Sequence, residues 1–471
     1  MIDPQWLENT YASLERAKLD PQAVVVVQSG QPVASAVWEP FRLDEPGLVH
    51  SVSKTFTAAA VGLAESEDLL DLHAPAWTYL LDQEPRGERA RRITLHHLLS
   101  MNSGHSGEQI DKFGPPYNLN ALFDTEPEHE PGSYFCYNSC ASFLLSAAVQ
   151  RVTGQRLTDY LRPRIFDPLG IADRYWLPNG DYDQGYSGLH ITAGEIAALA
   201  GLYLGWSAPT GSNPLPAGWG ELSARAHSDN SNRDSQPDNI VGYGYQVWRS
   251  QYGFRLDGAY GQWGLIIPEL DLVIGYRGGT QRTAQVLQIW WDELVTKMLA
   301  AGAGTYPAEP TDRSATVQVP ATELNQAAPL HSSRTLLSHF ELPAGADDPG
   351  SPAAEHITPA PHLLHVSPDG RVEIEFGEHR LPLGDAWTRN TVDVGADRTL
   401  QLAGAGEFLP DGGWSGSLFV TTSCHRLALR SSQADAGQPG TYPLELEWGT
   451  VPLWKPTLAE LALPITSGAG N

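Results

Sequence analysis

The sequence predicts an α+β domain built around an antiparallel sheet, followed by a smaller all-β domain. Three observations support this prediction. Strand-like runs occur near the N-terminus and again at 243–276, helical patterns fill the long stretch between them, and alternating strands dominate after residue 371. At 471 residues the chain also exceeds the size of one ordinary core, so two domains are expected.

The predicted α+β domain opens with a helix and a pair of strands. Residues 4–18 carry apolar side chains at helical spacing, and two strand-like runs, 23–28 and 33–38, flank a turn. Residues 51–65 are rich in alanine and predict a buried helix. Later strand-like runs lie at 243–249, 254–262 and 265–276, before a helical pattern at 281–299. Because strands come from both ends and helices lie between them, the sheet is expected to be antiparallel.

The composition changes near residue 301, where Ala, Gly and Pro become frequent. We therefore predict a first domain at 1–305, a linker region at 306–335 and an all-β domain at 336–471. Turn sequences such as PDG and DGG separate short alternating strands in the last part, which indicates a small sandwich or barrel. The predicted strands are 372–376, 399–403, 414–421, 426–430 and 444–448.

The charge of the chain excludes several classes of function. The formal net charge is −25, so the surface repels phosphate backbones and anionic lipid, and we expect no nucleic-acid or membrane partner. No uninterrupted apolar stretch of about 18 residues is present to span a bilayer. The N-terminus lacks the basic-then-apolar pattern of a signal peptide, so we expect a cytoplasmic protein.

The cysteines give no sign of a disulfide framework or a metal site. Cys136, Cys140 and Cys424 are few and odd in number, unlike the cysteines of a disulfide-stabilised fold. No CxxC pair, HExxH motif or other Cys/His group shows the spacing of metal ligands. The sequence therefore predicts neither a metal nor an organic cofactor.

A candidate nucleophile lies at the start of the alanine-rich helix, in the segment SVSK at 51–54. Residues i and i+3 share one face of a helix, so the Ser51 hydroxyl and the Lys54 ammonium can meet. Lysine can serve as the base of a nucleophilic serine when burial lowers its pKa. The helix N-terminus also directs free N–H groups toward an oxyanion formed there. The alternative interpretation is a serine cap followed by an ordinary lysine.

A second candidate segment follows a Pro-Gly turn at 131–132 and contains Tyr137, Asn138 and Ser139. A helix is predicted directly after it, over 141–152. A tyrosine at such a turn can direct its phenolic oxygen at a neighbouring serine, and an adjacent lysine favours its phenolate form. Taken alone, an aromatic residue that only anchors the start of the helix explains the segment equally well.

Four segments of the first domain are more specific together than any one is alone. They are HSVSKTFTA at 50–58, ITLHHLLSMNSG at 93–104, the Pro-Gly…Tyr-Asn-Ser helix start at 131–145 and SGLHITA at 187–193. In sequence and in order they resemble the serine β-lactamase-like superfamily, in the penicillin-binding-protein-like branch with class C β-lactamases, carboxylesterases and D-aminopeptidases. The resemblance extends over most of residues 20–300.

The resemblance implies a fold and a set of roles. The family's domain has a five-stranded antiparallel sheet flanked by helices, beside an all-helical lobe. By resemblance, Ser51 is the nucleophile, and Lys54 and Tyr137 share the general-base and general-acid work. The backbone N–H of Ser51 would supply one arm of the oxyanion hole.

The family's third motif, a strand that lines the site, is best matched by Leu256, Asp257, Gly258 and Ala259. Glycine lets substrate approach the backbone, and the Ala259 N–H would be the second oxyanion donor. Leu256 replaces a cation that holds the substrate carboxylate in β-lactamases, which argues against a penicillin-like substrate. Ser139 in place of asparagine is a smaller departure with the same tendency. Asp257 either attracts a substrate amine or is a solvated carboxylate at the end of the strand.

These residues predict a serine hydrolase that cleaves an ester or amide of a small molecule, with Ser139, Asp257 and Gly258 contacting substrate. A carboxylesterase-type activity ranks first, ahead of a D-aminopeptidase or other amidase and of a β-lactamase. A catalytically silent binding or scaffold protein on the same fold is the alternative from another class. The C-terminal domain could bind a ligand, shape the rim of the site or form a homo-oligomer.

Overall fold

The protein is described by a computed structural model, which confirms the predicted fold class, an α+β region followed by a separate β region. Within the described ranges, every helix is too short or too polar to span a bilayer. The described residues are 2–108, 118–232, 236–302, 320, 323–324, 328–335, 362–376, 378–410, 412–432, 439–450, 453 and 461–464.

The strands of the α+β region are β1 (Pro21–Gln28), β2 (Gln31–Glu39), β3 (Gly47–Leu48), β4 (Pro178–Asn179), β5 (Tyr182–Asp183), β6 (His190–Ile191), β7 (Trp248–Ser250), β8 (Gly253–Gly258), β9 (Gln262–Ile267), β10 (Leu272–Gly278) and β11 (Leu330–Thr335). Seven of them form the main sheet, in the order β11-β2-β1-β10-β9-β8-β7. All neighbours in this sheet are antiparallel except β11, which runs parallel to β2.

The sheet has two more strands than the five that the family resemblance implies. One is β7, a three-residue strand at one edge. The other is β11 at the opposite edge, which comes from the end of the predicted 306–335 linker. Its Leu330 pairs with Ala34 of β2, so β11 occupies backbone groups that an edge strand would leave open.

The helices are α1 (Pro4–Arg16), α2 (Ser53–Ser66), α3 (Trp77–Leu80), α4 (Glu88–Arg91), α5 (Leu95–Leu99), α6 (Ser139–Thr153), α7 (Leu157–Leu161), α8 (Asp167–Leu169), α9 (Ala193–Leu204), α10 (Trp219–Ala224), α11 (Thr283–Trp290) and α12 (Thr296–Ala300). Apolar cores cover both faces of the sheet, because alternate residues of β1 point to opposite sides. Val25 packs in the core shared with α2, α6 and α9, and Val24 packs in the core shared with α1 and α11.

Helix α2 lies inside the first of these cores, and its residues from Ser53 to Ala64 are all buried. Small alanine side chains allow the close packing of α2 against α6, its main helical neighbour. The alanine-rich pattern therefore predicts the burial of this helix correctly. Because α2 is surrounded by other elements, side chains at its start are held in fixed positions.

The C-terminal region contains β12 (His362–Val366), β13 (Val372–Phe376), β14 (His379–Leu383), β15 (Thr388–Asp393), β16 (Arg398–Phe408), β17 (Trp414–Val420), β18 (Arg426–Ser431), β19 (Gly440–Pro443), β20 (Glu445–Trp448) and β21 (Leu463–Pro464). One sheet has the order β14-β13-β12-β19, and the other has the order β15-β16-β17-β18-β20, with β21 paired to β16. Both sheets contribute to one apolar core, which is the arrangement of a β-sandwich.

The turn between β17 and β18 lies against the α+β region. The carbonyl oxygen of Thr422 accepts a hydrogen bond from the N–H of Leu48 at 2.9 Å. Just after the turn, Arg426 pairs with Asp20 at 3.4 Å. The C-terminal region therefore contacts the chain immediately before the 51–54 segment.

Candidate active site

Ser51 and Lys54 meet at the start of α2, as the sequence predicts. Ser51 lies in a single 3₁₀ turn, His50–Val52, which leads into α2, and Lys54 lies in the first turn of that helix. The Nζ atom of Lys54 is 2.9 Å from the Oγ atom of Ser51, which is a hydrogen-bond distance. The i, i+3 spacing thus places an amine where it can act on the serine hydroxyl.

Other elements hold Lys54 in place. Its Nζ atom also donates to the carbonyl oxygen of Tyr186 at 2.9 Å and to the Oγ atom of Ser139 at 3.3 Å. Nζ lies 4.9 Å from the centre of the Tyr137 ring, so the structure brings Tyr137 and Ser139 beside the Ser51–Lys54 pair. Lys54 itself is only 2% exposed.

Burial lowers the pKa of Lys54 from 10.5 to about 7, because desolvation disfavours the ammonium form. The carboxylates of Glu108 and Asp257 raise this pKa and so oppose part of the effect. Near neutral pH a substantial fraction of Lys54 is therefore the neutral amine, which can accept a proton.

Tyr137 is positioned by the start of α6 and by β7. The side chain of Asn138 caps α6 by accepting a hydrogen bond from the N–H of Cys140 at 3.0 Å. The Tyr137 ring stacks on Trp248 of β7 with the ring centres 5.5 Å apart. These contacts keep the tyrosine beside Lys54.

The end of β8 lies directly against the turn that carries the serine. A Cβ atom at Gly258 would stand 2.3 Å from the carbonyl oxygen of Val49 and 3.2 Å from the amide nitrogen of Val52. Only glycine permits this approach. Ala259 follows at once, and it lines the same cavity as Ser51. For the N–H groups of Ser51 and Ala259 to face the same oxyanion, the end of β8 must lie this close to the serine turn.

Asp257 and Leu256, the other two residues of the third motif, have different surroundings in the structure. Asp257 accepts a hydrogen bond from Nε of Arg255 at 2.7 Å, and the Arg255 side chain is only 2% exposed. This ion pair offsets much of the negative charge that would attract a substrate amine, so the Asp257 carboxylate is not simply solvated either. Leu256 points to the other side of the strand and is fully buried in the core.

Four residues that the sequence analysis did not single out also line the cavity: Glu108, Tyr186, Trp248 and Leu453. An Oε atom of Glu108 accepts a hydrogen bond from the N–H of Ser139 at 2.7 Å. Trp248 lies in the predicted strand 243–249, directly before the predicted strand 254–262 that carries the third motif. This order in the sequence is the signal that could have indicated a position near the site. Glu108 and Leu453 lie outside every predicted helix and strand, where no periodic pattern indicates proximity.

The cavity has a volume of about 390 Å³, which suits a small molecule. Two carboxylates line it, and Lys54 is the only lysine or arginine among the described lining residues. The lining residues are His50, Ser51, Lys54, Glu108, Tyr137, Ser139, Tyr186, Ser187, Trp248, Asp257, Ala259 and Leu453.

Comparison with known families gives a match over more than half of the chain. A family model described as Beta-lactamase matches residues 14–277. This stretch includes the serine turn, α2, the start of α6 and the strands of the main sheet from β1 to β10.

Two curated relatives are esterases by name. The chain is 30% identical over 167 residues to the lovastatin esterase of Penicillium rubens, covering 30% of this chain and 42% of that protein. It is 30% identical over 154 residues to esterase EstB of Burkholderia gladioli, covering 28% of this chain and 39% of that protein. The matches thus span about two fifths of each relative.

Solved structures share the fold at low sequence identity. A putative β-lactamase from Bacteroides dorei superposes with a TM-score of 0.53 at 17% identity, covering 63% of this chain and 99% of that chain. An octameric penicillin-binding protein homologue from Pyrococcus abyssi superposes with a TM-score of 0.51 at 14% identity, covering 94% of this chain and 99% of that chain. The second likeness extends into the C-terminal β region.

Proposed function

Because the chain belongs to the beta-lactamase family, we propose that it is a serine hydrolase that cleaves an ester or amide through an acyl-enzyme on Ser51. A carboxylesterase-type activity on a small-molecule ester ranks first, ahead of a D-aminopeptidase or other amidase and of a β-lactamase. The observation that carries the proposal is the 2.9 Å hydrogen bond between Nζ of the buried Lys54 and Oγ of Ser51.

The first half-reaction forms the acyl-enzyme. Lys54, as the neutral amine, takes the proton from Ser51 while Oγ attacks the carbonyl carbon of the substrate. The N–H groups of Ser51 and Ala259 stabilise the negative charge that develops on the carbonyl oxygen. Tyr137, beside Nζ, passes a proton to the leaving oxygen or nitrogen and regains one from the Lys54 ammonium, and the alcohol or amine departs.

The second half-reaction restores the enzyme. Water attacks the acyl carbonyl and gives one proton to the Lys54–Tyr137 pair, and the bond to Ser51 breaks as this pair returns the proton to Oγ. The Tyr186 carbonyl oxygen and the Ser139 hydroxyl hold Nζ near the reacting atoms, which lowers the entropic cost of both steps.

The charges around the cavity favour a neutral substrate. A carboxylate-bearing substrate would meet the Glu108 carboxylate, and among the described lining residues it would find no arginine to bind it. The Nζ atom of Lys54 already makes hydrogen bonds to Ser51, Ser139 and the main-chain carbonyl oxygen of Tyr186. This balance supports esters over β-lactams, in agreement with the names of the two curated relatives.

A substrate panel tests this ranking. We expect kcat/KM to be highest for p-nitrophenyl butyrate, lower for D-alanyl p-nitroanilide and lowest for a chromogenic cephalosporin. A higher value for the amide or the cephalosporin would reverse the ranking. Binding without turnover of all three would instead support a silent binding protein.

The pH dependence follows from the pKa of Lys54. The neutral amine is the form that can take a proton from Ser51, and burial lowers its pKa to about 7. We therefore expect kcat/KM for p-nitrophenyl butyrate to rise about tenfold per pH unit below that value and to level off above it. Assays from about pH 5 to 9, with circular dichroism at each pH to verify folding, measure this. A profile without a rising limb anywhere between about pH 5 and 9 would contradict the role of Lys54 as the base.

Leu453→Ala is expected to raise KM for p-nitrophenyl butyrate roughly three- to tenfold with little change in kcat. Leu453 lines the cavity and is 56% exposed, so it presents apolar surface that an acyl chain or leaving group can cover. Loss of that contact weakens the binding of the substrate in the ground state and in the transition state alike.

The matched control is Leu409→Ala, which changes another exposed leucine of the β region that does not line the cavity. KM should be unchanged in the control. Equal KM values in the wild type and Leu453→Ala would show that Leu453 does not contribute to substrate binding.

We also propose two domains, 1–305 and 336–471, joined by a linker region at 306–335. Strand β11, at the end of this linker region, joins the main sheet of the first domain. We propose a cytoplasmic location as well, which fits a chain whose three cysteines form no disulfide with one another. The octameric state named for the Pyrococcus abyssi relative supports a homo-oligomer. Light scattering on the full chain tests this, and a monomer at micromolar concentration would contradict it.

A further inference from the structure

Three potential metal ligands meet where the C-terminal region contacts the α+β region. His50 directly precedes Ser51, while Cys424 and His425 lie in the turn between β17 and β18. One ligand atom from each residue lies within 4.8 Å of the other two. All three side chains are buried, at 5%, 1% and 2% exposure.

The distances between these atoms suit a single ion. Nε2 of His50 is 3.4 Å from Sγ of Cys424, and that sulfur is 3.7 Å from Nδ1 of His425. In a tetrahedral zinc site, with bonds of about 2.0–2.1 Å to nitrogen and 2.3 Å to sulfur, ligand atoms are roughly 3.5 Å apart. An ion therefore fits among the three atoms with only small movements of the side chains.

The surroundings provide features that support metal ligands. The His425 ring makes a hydrogen bond to the main chain of Thr450, the kind of outer contact that fixes the orientation of a ligating imidazole. The Tyr260 ring packs against both imidazoles, with its centre 5.2 Å from that of His50 and 5.6 Å from that of His425. Burial raises the pKa of the Cys424 thiol above its ordinary value, and the Arg277 guanidinium opposes part of this effect. A bound metal ion would itself favour the thiolate form.

We propose that His50, Cys424 and His425 bind one zinc ion, which fastens the turn between β17 and β18 to the residue that precedes Ser51. On binding, the Cys424 thiol releases its proton to solvent and its sulfur bonds to the ion. The two imidazoles donate their lone pairs, and a water molecule completes four-coordination. Thiolate and imidazole donors select zinc over magnesium or calcium, which prefer oxygen.

His50 also lines the cavity beside Ser51, but the role of the proposed zinc site differs from the acyl chemistry. Zinc here joins two regions of the chain, and no step on Ser51 passes through it. The sequence analysis expected no metal because 374 residues separate His50 from Cys424, so no local motif exists. The ligands come together only through the contact between the two regions.

Cobalt titration of the full-length, metal-stripped protein tests the proposal. Co²⁺ is expected to produce a sulfur-to-cobalt charge-transfer band and the strong visible bands of a four-coordinate site, saturating at one ion per chain. Zn²⁺ should displace the cobalt and raise the midpoint of thermal unfolding. No charge-transfer band in the folded wild type would overturn the proposal and leave a hydrogen-bonded packing cluster.

Variants of Cys424 and His425, with a control at Cys136, test the ligands from the turn, and circular dichroism verifies that each variant is folded. Cys424→Ser should lose the charge-transfer band and the zinc-dependent stabilisation, and Cys136→Ser, which removes a thiol outside the cluster, should keep both. If Cys424→Ser does not fold, His425→Gln serves instead and should bind cobalt at least tenfold more weakly than the wild type. Unchanged cobalt binding in folded Cys424→Ser or His425→Gln would also overturn the proposal.

Discussion

Ser51→Ala is expected to lower kcat/KM for p-nitrophenyl butyrate by about 10⁴- to 10⁶-fold, because it removes the atom that forms the acyl-enzyme. Residual activity should come only from the oxyanion donors and substrate binding. Stability should change little, since the change removes one hydroxyl that bonds to Lys54 at the edge of the cavity. Steady-state rates and thermal unfolding of the two proteins measure both quantities.

Ser66→Ala is the matched control, since this exposed serine lies at the end of the same helix. Its hydroxyl donates only to the carbonyl oxygen of Leu63 at 2.8 Å, far along the helix from the cavity. The control should keep the wild-type rate. Substantial hydrolysis by Ser51→Ala, beyond any trace of contaminating esterase, would remove Ser51 from the mechanism.

Lys54→Met is expected to lower kcat/KM by about 10²- to 10⁴-fold, the usual contribution of a general base. The methionine side chain fills a similar buried volume but cannot accept a proton. The rise of activity through pH 7 should also disappear, because the group responsible for it is gone. A rate profile against pH for the variant and the wild type measures both effects.

Lys297→Met provides the control for the loss of a lysine. Lys297 lies in α12 and pairs with Glu293 at 2.5 Å, away from the cavity lining. It should leave both the rate and the pH profile unchanged. If Lys54→Met instead kept the wild-type pH profile, the limb near pH 7 would belong to another group.

Local periodicity predicted the parts of the site that lie close together in sequence. The pair Ser51 and Lys54 follows from helical spacing, and the alanine-rich pattern predicted a buried helix to carry it. The ion pair between Arg255 and Asp257 could also have been predicted from the sequence, since residues i and i+2 share one face of a strand. The sequence analysis considered Asp257 without this neighbour and so left its charge open.

Local sequence patterns do not predict contacts between segments that are far apart in the sequence. Strand β11 joins the main sheet from the end of the predicted linker, where neither composition nor spacing indicates a partner strand. Glu108 and Leu453 reach the cavity from segments outside predicted helices and strands. Only the packing of the two regions against each other determines that Leu453 lies near Ser51.

The most direct test of the acyl-enzyme is rapid mixing with p-nitrophenyl butyrate, acid quench and mass analysis of the intact protein. We expect a burst of one p-nitrophenolate per active chain and one added butyryl group, mapped by peptide analysis to Ser51. Both should be absent in Ser51→Ala. Turnover of the wild type without a burst or adduct, or an adduct on another residue, would contradict the proposed role of Ser51.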